Sequence, residues 1–208
     1  MQTKEKEIAK YLLETKAVFL NPKEPFTWAS GIKSPIYCDN RILLSFADIR
    51  SKVIEAFVEM INKNYPQVDC IAGVATAGIA HAALIADRMN LPMIYIRSSA
   101  KDHGRSKQIE GKLNPGAKIV VIEDLISTGS SSIQAMSALD DEDAQILGLA
   151  AIFTYGLDKA TKNLEKAKVK AVTLSNYEAL IEVALKENYI EEADMKALID
   201  WKKDLVST

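Results

Sequence analysis

Cysteine and histidine are scarce in this chain, with two of each among 208 residues. Cys38 and Cys70 lie far apart and outside any CxxC spacing, which argues against a disulfide framework and against a zinc site. Two histidines cannot build a histidine-rich metal cluster. No apolar run approaches the roughly 18 residues of a membrane-crossing helix, so no membrane partner is expected. Net charge is only −2, from 26 basic and 28 acidic residues, so no basic field points to nucleic acid. The opening Met1-Gln2-Thr3-Lys4-Glu5-Lys6-Glu7 is charged where a signal peptide needs an apolar core. These absences predict a soluble, cytoplasmic protein. The length predicts one domain over 1–208, enough to bury a full α/β core.

What is present alternates. Apolar residues at helical spacing predict an amphipathic helix over about 3–16 and another over 46–63. Between them lies a turn-rich, aromatic stretch with strand-like pieces at Phe26–Trp28 and Ile36–Cys38. Asp69–Val74, Pro92–Arg97, Lys118–Ile122 and Ile146–Thr154 then read as buried strands. Helices are expected to about Asn90, over 130–139 and over Asp158–Ala167, with a short strand at Ala171–Leu174 and helices over 176–187 and 191–204. Strands alternating with helices indicate an α/β fold with a parallel sheet and right-handed crossovers. The expected division is an N-terminal helix and cover over 1–45, the α/β core over 46–175, and C-terminal helices over 176–208.

The most informative stretch is Val120-Val121-Ile122-Glu123-Asp124-Leu125-Ile126-Ser127-Thr128-Gly129-Ser130-Ser131-Ser132. It reads as a buried strand that ends at two carboxylates and turns through small hydroxyl residues into a helix. In open α/β sheets, ligands sit beyond the carboxyl ends of the strands. Loop amides and a helix N-terminus there suit a phosphate. The acids would repel that phosphate unless they face another part of the ligand. Two vicinal sugar hydroxyls fit, because ionised carboxylates only accept hydrogen bonds. The segment therefore suits a ribose 5-phosphate. A Walker loop is excluded, since no lysine followed by Ser or Thr closes the loop. A dinucleotide fingerprint is excluded because its acid follows three glycines by about 20 residues, whereas here the acids precede the only glycine.

Two further stretches fit the same ligand edge. Gly73-Val74-Ala75-Thr76-Ala77-Gly78 is a second strand-to-helix turn whose amides could hold an anion. Residues 97–111 carry Arg97, Lys101, His103, Arg105 and Lys107, almost nothing apolar, and glycines at 104 and 111. A charged run is usually a solvated surface. This one directly follows a core strand and supplies the cations that both turns lack, so it reads as a basic lid over a polyphosphate leaving group.

The Arg97-x-x-x-Lys101-Asp102-His103-Gly104 loop, ahead of Glu123-Asp124-x-x-Ser127-Thr128-Gly129, resembles the type I phosphoribosyltransferase family, and within it the orotate phosphoribosyltransferases. Ser30-Gly31-Ile32-Lys33-Ser34-Pro35 is similar to their N-terminal hood. The resemblance spans nearly the whole chain. It implies a type I phosphoribosyltransferase fold, with a central parallel sheet flanked by helices and an N-terminal hood. The implied substrates are phosphoribosyl diphosphate (PRPP) and orotate, and the implied products are orotidine 5′-monophosphate and diphosphate, in de novo pyrimidine synthesis. Glu123 and Asp124 would hold the ribose hydroxyls, with Leu125 and Ile126 continuing the substrate-binding stretch. Ser127, Thr128, Gly129, Ser130 and Ser131 would wrap the 5-phosphate. Arg97, Lys101 and His103 would neutralise the diphosphate, and Thr76 would line the second turn. Lys33 would contact base or phosphate. Mg2+ would be bound mainly through PRPP, and a homodimer would share each lid across subunits. A purine-type transferase and a non-catalytic PRPP-binding regulator are the alternatives. The sequence departs from the family at Ser98 and Ala77, where some members carry basic residues. It also lacks the arginine that some members place after the strand ending near Thr154-Tyr155, where Lys159 is the only basic residue close by. The group that recognises the orotate carboxylate is thus left unassigned.

Overall fold

Ile119, Val120, Val121 and Ile122 are each wholly buried, so both faces of their strand are covered and apolar residues run continuously instead of alternating. In the computed structural model, which describes residues 3–27, 33–97, 108–140 and 142–206, this strand is the centre of the molecule. The elements in chain order are α1 (Lys4–Glu14), β1 (Val18–Leu20), β2 (Phe26–Thr27), β3 (Lys33–Ser34), β4 (Ile36–Cys38), a 3-10 helix (Asn40–Ser45) and α2 (Ala47–Asn64). Then come β5 (Cys70–Val74), α3 (Ala77–Met89), β6 (Met93–Ile96), β7 (Ile109–Glu110), β8 (Ala117–Ile126) and α4 (Ser130–Met136) with a 3-10 turn (Ser137–Leu139). The chain finishes with β9 (Ala144–Thr154), α5 (Asp158–Lys166), β10 (Ala171–Asn176), α6 (Tyr177–Lys186) and α7 (Glu192–Val206).

Six strands form one sheet in the order β10-β9-β8-β5-β6-β7. Five are parallel, as the β–α alternation requires, and β7 adds an antiparallel edge through Tyr95↔Glu110 and Ile96↔Ile109. The expected end of β8 at Ile122 is corrected. The strand continues through both acids, because Leu125 and Ile126 pair with Phe153 and Thr154 of the longer β9. Helix α3 packs on β5 and β8, α2 on α3, β9 and β10, and α1 on β10 and α6. The Asn176 side chain accepts from the Ala179 amide at 2.9 Å and starts α6 where a short polar residue can cap it.

The N-terminal segment makes two small antiparallel ladders, β1 with β4 and β2 with β3. Trp201 of α7 donates its indole N–H to the Lys33 carbonyl at 3.0 Å, tying the second ladder to the C-terminal helix. The 3-10 helix closes this segment against β8, where Asn40 Nδ2 donates to the Asp124 carbonyl at 2.7 Å. The carboxyl ends of β5, β6, β8 and β9 thus open on one edge, with the 3-10 helix anchored beside it.

Candidate functional site

Consecutive strand residues face opposite ways, so β8 splits its acid pair. Glu123 turns inward. It is 7% exposed and accepts from Ser132 Oγ of α4 at 3.2 Å. Burial, helped by neighbouring Asp124, pushes its carboxyl up to about 7. Asp124 is half-buried, and burial raises it also, while Arg41 and backbone amides pull it down. Strand geometry thus seats Glu123 against α4 and leaves Asp124 on the side of Asn40 and Arg41.

Beyond β8, Ser127, Thr128 and Gly129 form the loop and Ser130 and Ser131 open α4. Gly129 sits at φ +74°, left-handed backbone that glycine adopts without a Cβ penalty. Thr128 Oγ1 and Ser130 Oγ lie 3.2 Å apart. Asn163 of α5 donates to the Thr128 carbonyl at 2.9 Å and to Ser130 Oγ at 3.2 Å, bracing the loop from below. Thr154 Oγ1 of β9 donates to the Ile126 carbonyl at 3.1 Å. Ile126 is buried in the core, and the partly buried Leu125 packs against that core.

The β5–α3 turn is built differently. Its Ala75–Thr76 peptide is cis, and Ala75 N–H donates to the Ile96 carbonyl at 2.8 Å. Thr76 is exposed at the sheet edge. A Cβ on Gly78 would stand 2.4 Å from the Ile122 carbonyl oxygen, so only glycine lets α3 lie this close to β8. This contact brings the second turn against the strand that carries the acids. No side chain caps α3, and Ala77 contributes no charge.

Arg97 follows β6 and is held by a reciprocal pair, its amide to the Gln108 carbonyl at 2.8 Å and Gln108 Nε2 to its own carbonyl at 3.2 Å. These bonds close the base of the segment between them. Arg97 Nη1 is buried, 3.8 Å from Glu110 Oε1, and has no hydrogen-bond partner among the described residues. A guanidinium N–H held this way at the ligand edge suits an incoming anion. Lys101 and His103 lie outside the described residues. Lys33 is exposed on β3 and donates to Thr27 Oγ1 at 2.7 Å within its own ladder, which does not bring it to the acids or the loop.

Several groups escaped the sequence reading. Asn40 is wholly buried and fastens the 3-10 helix to the Asp124 backbone. Asp39 grips Arg41 with two bonds, Nε to Oδ1 at 2.7 Å and Nη2 to Oδ2 at 2.9 Å. Arg41 in turn holds the Asp39 carboxyl below the usual carboxylate range. Cys38 and Tyr155 share this surround, and burial with Asp124 nearby pushes both well up, keeping thiol and phenol protonated. The available signal was the run Asp39-Asn40-Arg41, three polar residues between a strand and an apolar helix. Among the described residues, no group of three or more His, Cys, Asp and Glu gathers as a metal cage. Asp124 offers a partly exposed carboxylate beside the loop, which fits a hard cation that keeps waters and takes most ligands from a substrate. No helix among the described residues is long and apolar enough to cross a membrane.

Comparison with known proteins agrees with this geometry. The phosphoribosyl transferase domain family matches residues 45–188. An orotate phosphoribosyltransferase of Listeria innocua is 58% identical over 200 residues, covering 96% of each chain. The crystal structure of orotate phosphoribosyltransferase from Aeropyrum pernix superposes with a TM-score of 0.76 at 27% identity, covering 88% of this chain and 99% of that one. A Leishmania donovani UMP synthase structure gives a TM-score of 0.81 at 25% identity, covering 98% of this chain and 43% of that one.

Proposed function

Because the chain belongs to the orotate phosphoribosyltransferase family, we propose that it transfers the ribose 5-phosphate group of PRPP to orotate, giving orotidine 5′-monophosphate and diphosphate in de novo pyrimidine synthesis. The observation that carries this reading is the meeting, at one sheet edge, of Asp124, the Ser127–Ser131 loop and the Thr76–Gly78 turn. A phosphate at each turn with a sugar between them matches the layout of PRPP.

In the reaction, the bond from ribose C1 to the diphosphate oxygen breaks and the oxygen keeps the electron pair. A bond forms from C1 to the ring nitrogen of orotate, whose N–H bond breaks with its proton passing to the departing diphosphate or to water. Positive charge develops at C1 and negative charge on the leaving group, so the protein's task is placement and charge compensation. Asp124 accepts from the ribose hydroxyls. The loop amides and hydroxyls of Ser127, Thr128, Gly129, Ser130 and Ser131 hold the 5-phosphate, braced by Asn163. The Thr76 turn and the Arg97 guanidinium, whose Nη1 has no hydrogen-bond partner among the described residues, receive the diphosphate. Lys101 and His103 complete its neutralisation, each pair closing over the site of the other subunit in a symmetric homodimer. Mg2+ would be held through PRPP oxygens with Asp124 in reach, and it would spread the charge of the diphosphate. Initial rates with PRPP, Mg2+ and either orotate, adenine or hypoxanthine test this reading. Turnover is expected with orotate. Turnover with a purine alone would move the chain to another branch of the fold, and none with any base would make it a binding protein.

A further inference from the structure

The carboxylate of Asp124 beside the ribose position raises a problem for an acidic base. Orotate carries its carboxylate on the ring carbon next to the nitrogen that attacks C1, so that group lies close to the ribose hydroxyls at the moment of transfer. A cation must therefore stand near Asp124. We propose that Arg41 is this cation and the specificity-determining residue for the orotate carboxylate, an assignment that rests on the function proposed above.

The geometry narrows the choice. Arg41 follows Asn40, whose side chain is bonded to the Asp124 backbone, so the 3-10 helix fixes Arg41 beside the strand end. Its guanidinium is already oriented. Asp39 occupies the Nε and Nη2 edge, leaving the Nη1 edge with no partner among the described residues. A guanidinium has two carboxylate-binding edges, and one is taken by the protein to present the other. The side chain is 59% exposed, open to a ligand.

Two other described lysines, Lys202 and Lys33, are committed elsewhere. Lys202 lies against Gly156, the position just past β9, but it is paired with Glu178. Its surround also contains Asp158 and Glu182, which would repel a carboxylate. Lys33 is bonded to Thr27.

Arg41→Gln and Arg41→Lys test the assignment, with Michaelis constants measured separately for orotate and PRPP and folding checked by thermal melting. Losing one charge-assisted carboxylate pairing should raise KM for orotate about 10- to 100-fold in Arg41→Gln, with KM for PRPP changing less than about threefold. Arg41→Lys should recover part of the loss, since it keeps the charge without the two-pronged edge. Preference for orotate over uracil, which lacks the carboxylate, should fall by the same factor as the orotate constant rises. An unchanged orotate constant in a folded Arg41→Gln, or equal rises for both substrates, overturns the role of Arg41 while leaving the activity standing. A wild-type protein that does not consume orotate overturns both.

Discussion

Two of the strand-to-helix corners, β5–α3 and β8–α4, open beside Asp124 and are equipped differently. The β8–α4 corner is rich in hydroxyls, uses Gly129 in left-handed backbone, and is braced from outside by Asn163. The β5–α3 corner has one hydroxyl at Thr76 and a glycine wedged against Ile122. On the proposed function, the first would keep a phosphate throughout a turnover, and the sparse one would take its charge compensation from the basic residues that follow Arg97 in the sequence. That difference suits a ligand whose one end stays while its other end leaves.

The largest expected effect breaks the comparison at the sparse corner. Lys101→Ala removes a cation whose value peaks as the diphosphate departs, so kcat should drop on the order of 10²–10³-fold with little change in PRPP binding. An unchanged kcat would return the 97–111 segment to a solvated surface run. If the proposed homodimer shares its lids, mixing Lys101→Ala chains with Asp124→Asn chains should restore about a quarter of wild-type activity after random re-pairing, because each mixed dimer would assemble one complete site. A flat trace on mixing would mean that each segment serves its own chain.

The next effect concerns the furnished corner. Glu123 is raised in the fold to about 7 from an ordinary 4.5, so its contribution to stability is present below about pH 4.5 and is lost as pH rises through about 7. Glu123→Gln escapes that loss, which is worth about 3 kcal/mol at full ionisation. The melting temperature of the variant minus that of wild type should therefore grow between pH 5 and 8. His81, buried on α3 and lowered to about 4, acts with the opposite sign, its contribution fading as pH falls from about 6.5 toward 4. It is common to both proteins and cancels in the difference. A difference that stays flat with pH would contradict the inward seat of Glu123.

The smallest effects compare the two glycines. Gly78→Ala places a methyl against backbone that cannot retreat and should cost roughly 1–3 kcal/mol. Gly129→Ala meets only Leu164 at ordinary contact distance, and its left-handed backbone should cost about 1 kcal/mol. Thermal melts of the two variants rank them, and the reverse order would show that the β5 corner is the looser one.

Much of the fold was legible for a physical reason. Strands buried on both faces, such as Val120–Ile122, leave a continuous apolar signature, and so do helices with one apolar stripe. The two- and three-residue strands at Val18, Lys33 and Ile109 are too short to show a period. The acids hid the last turn of pairing in β8, because charge reads as a strand end until a partner such as Phe153 is known. At the site, the loop and its acids were legible as a local motif. Asn40 and Asn163 were not, since their partners lie 84 and 35 residues away. Arg41 was passed over for the same reason, as nothing local ties it to Asp124.

The most direct test of the account follows orotate loss by absorbance in the presence of PRPP and Mg2+, for wild type and Asp124→Asn, with melting temperatures measured alongside. The substitution keeps shape but replaces an acceptor oxygen with a donor and removes the charge. The account predicts PRPP-dependent consumption by wild type and a fall in kcat/KM for PRPP on the order of 10²-fold in a variant that melts as a folded protein. A folded Asp124→Asn that uses PRPP as well as wild type does would contradict it.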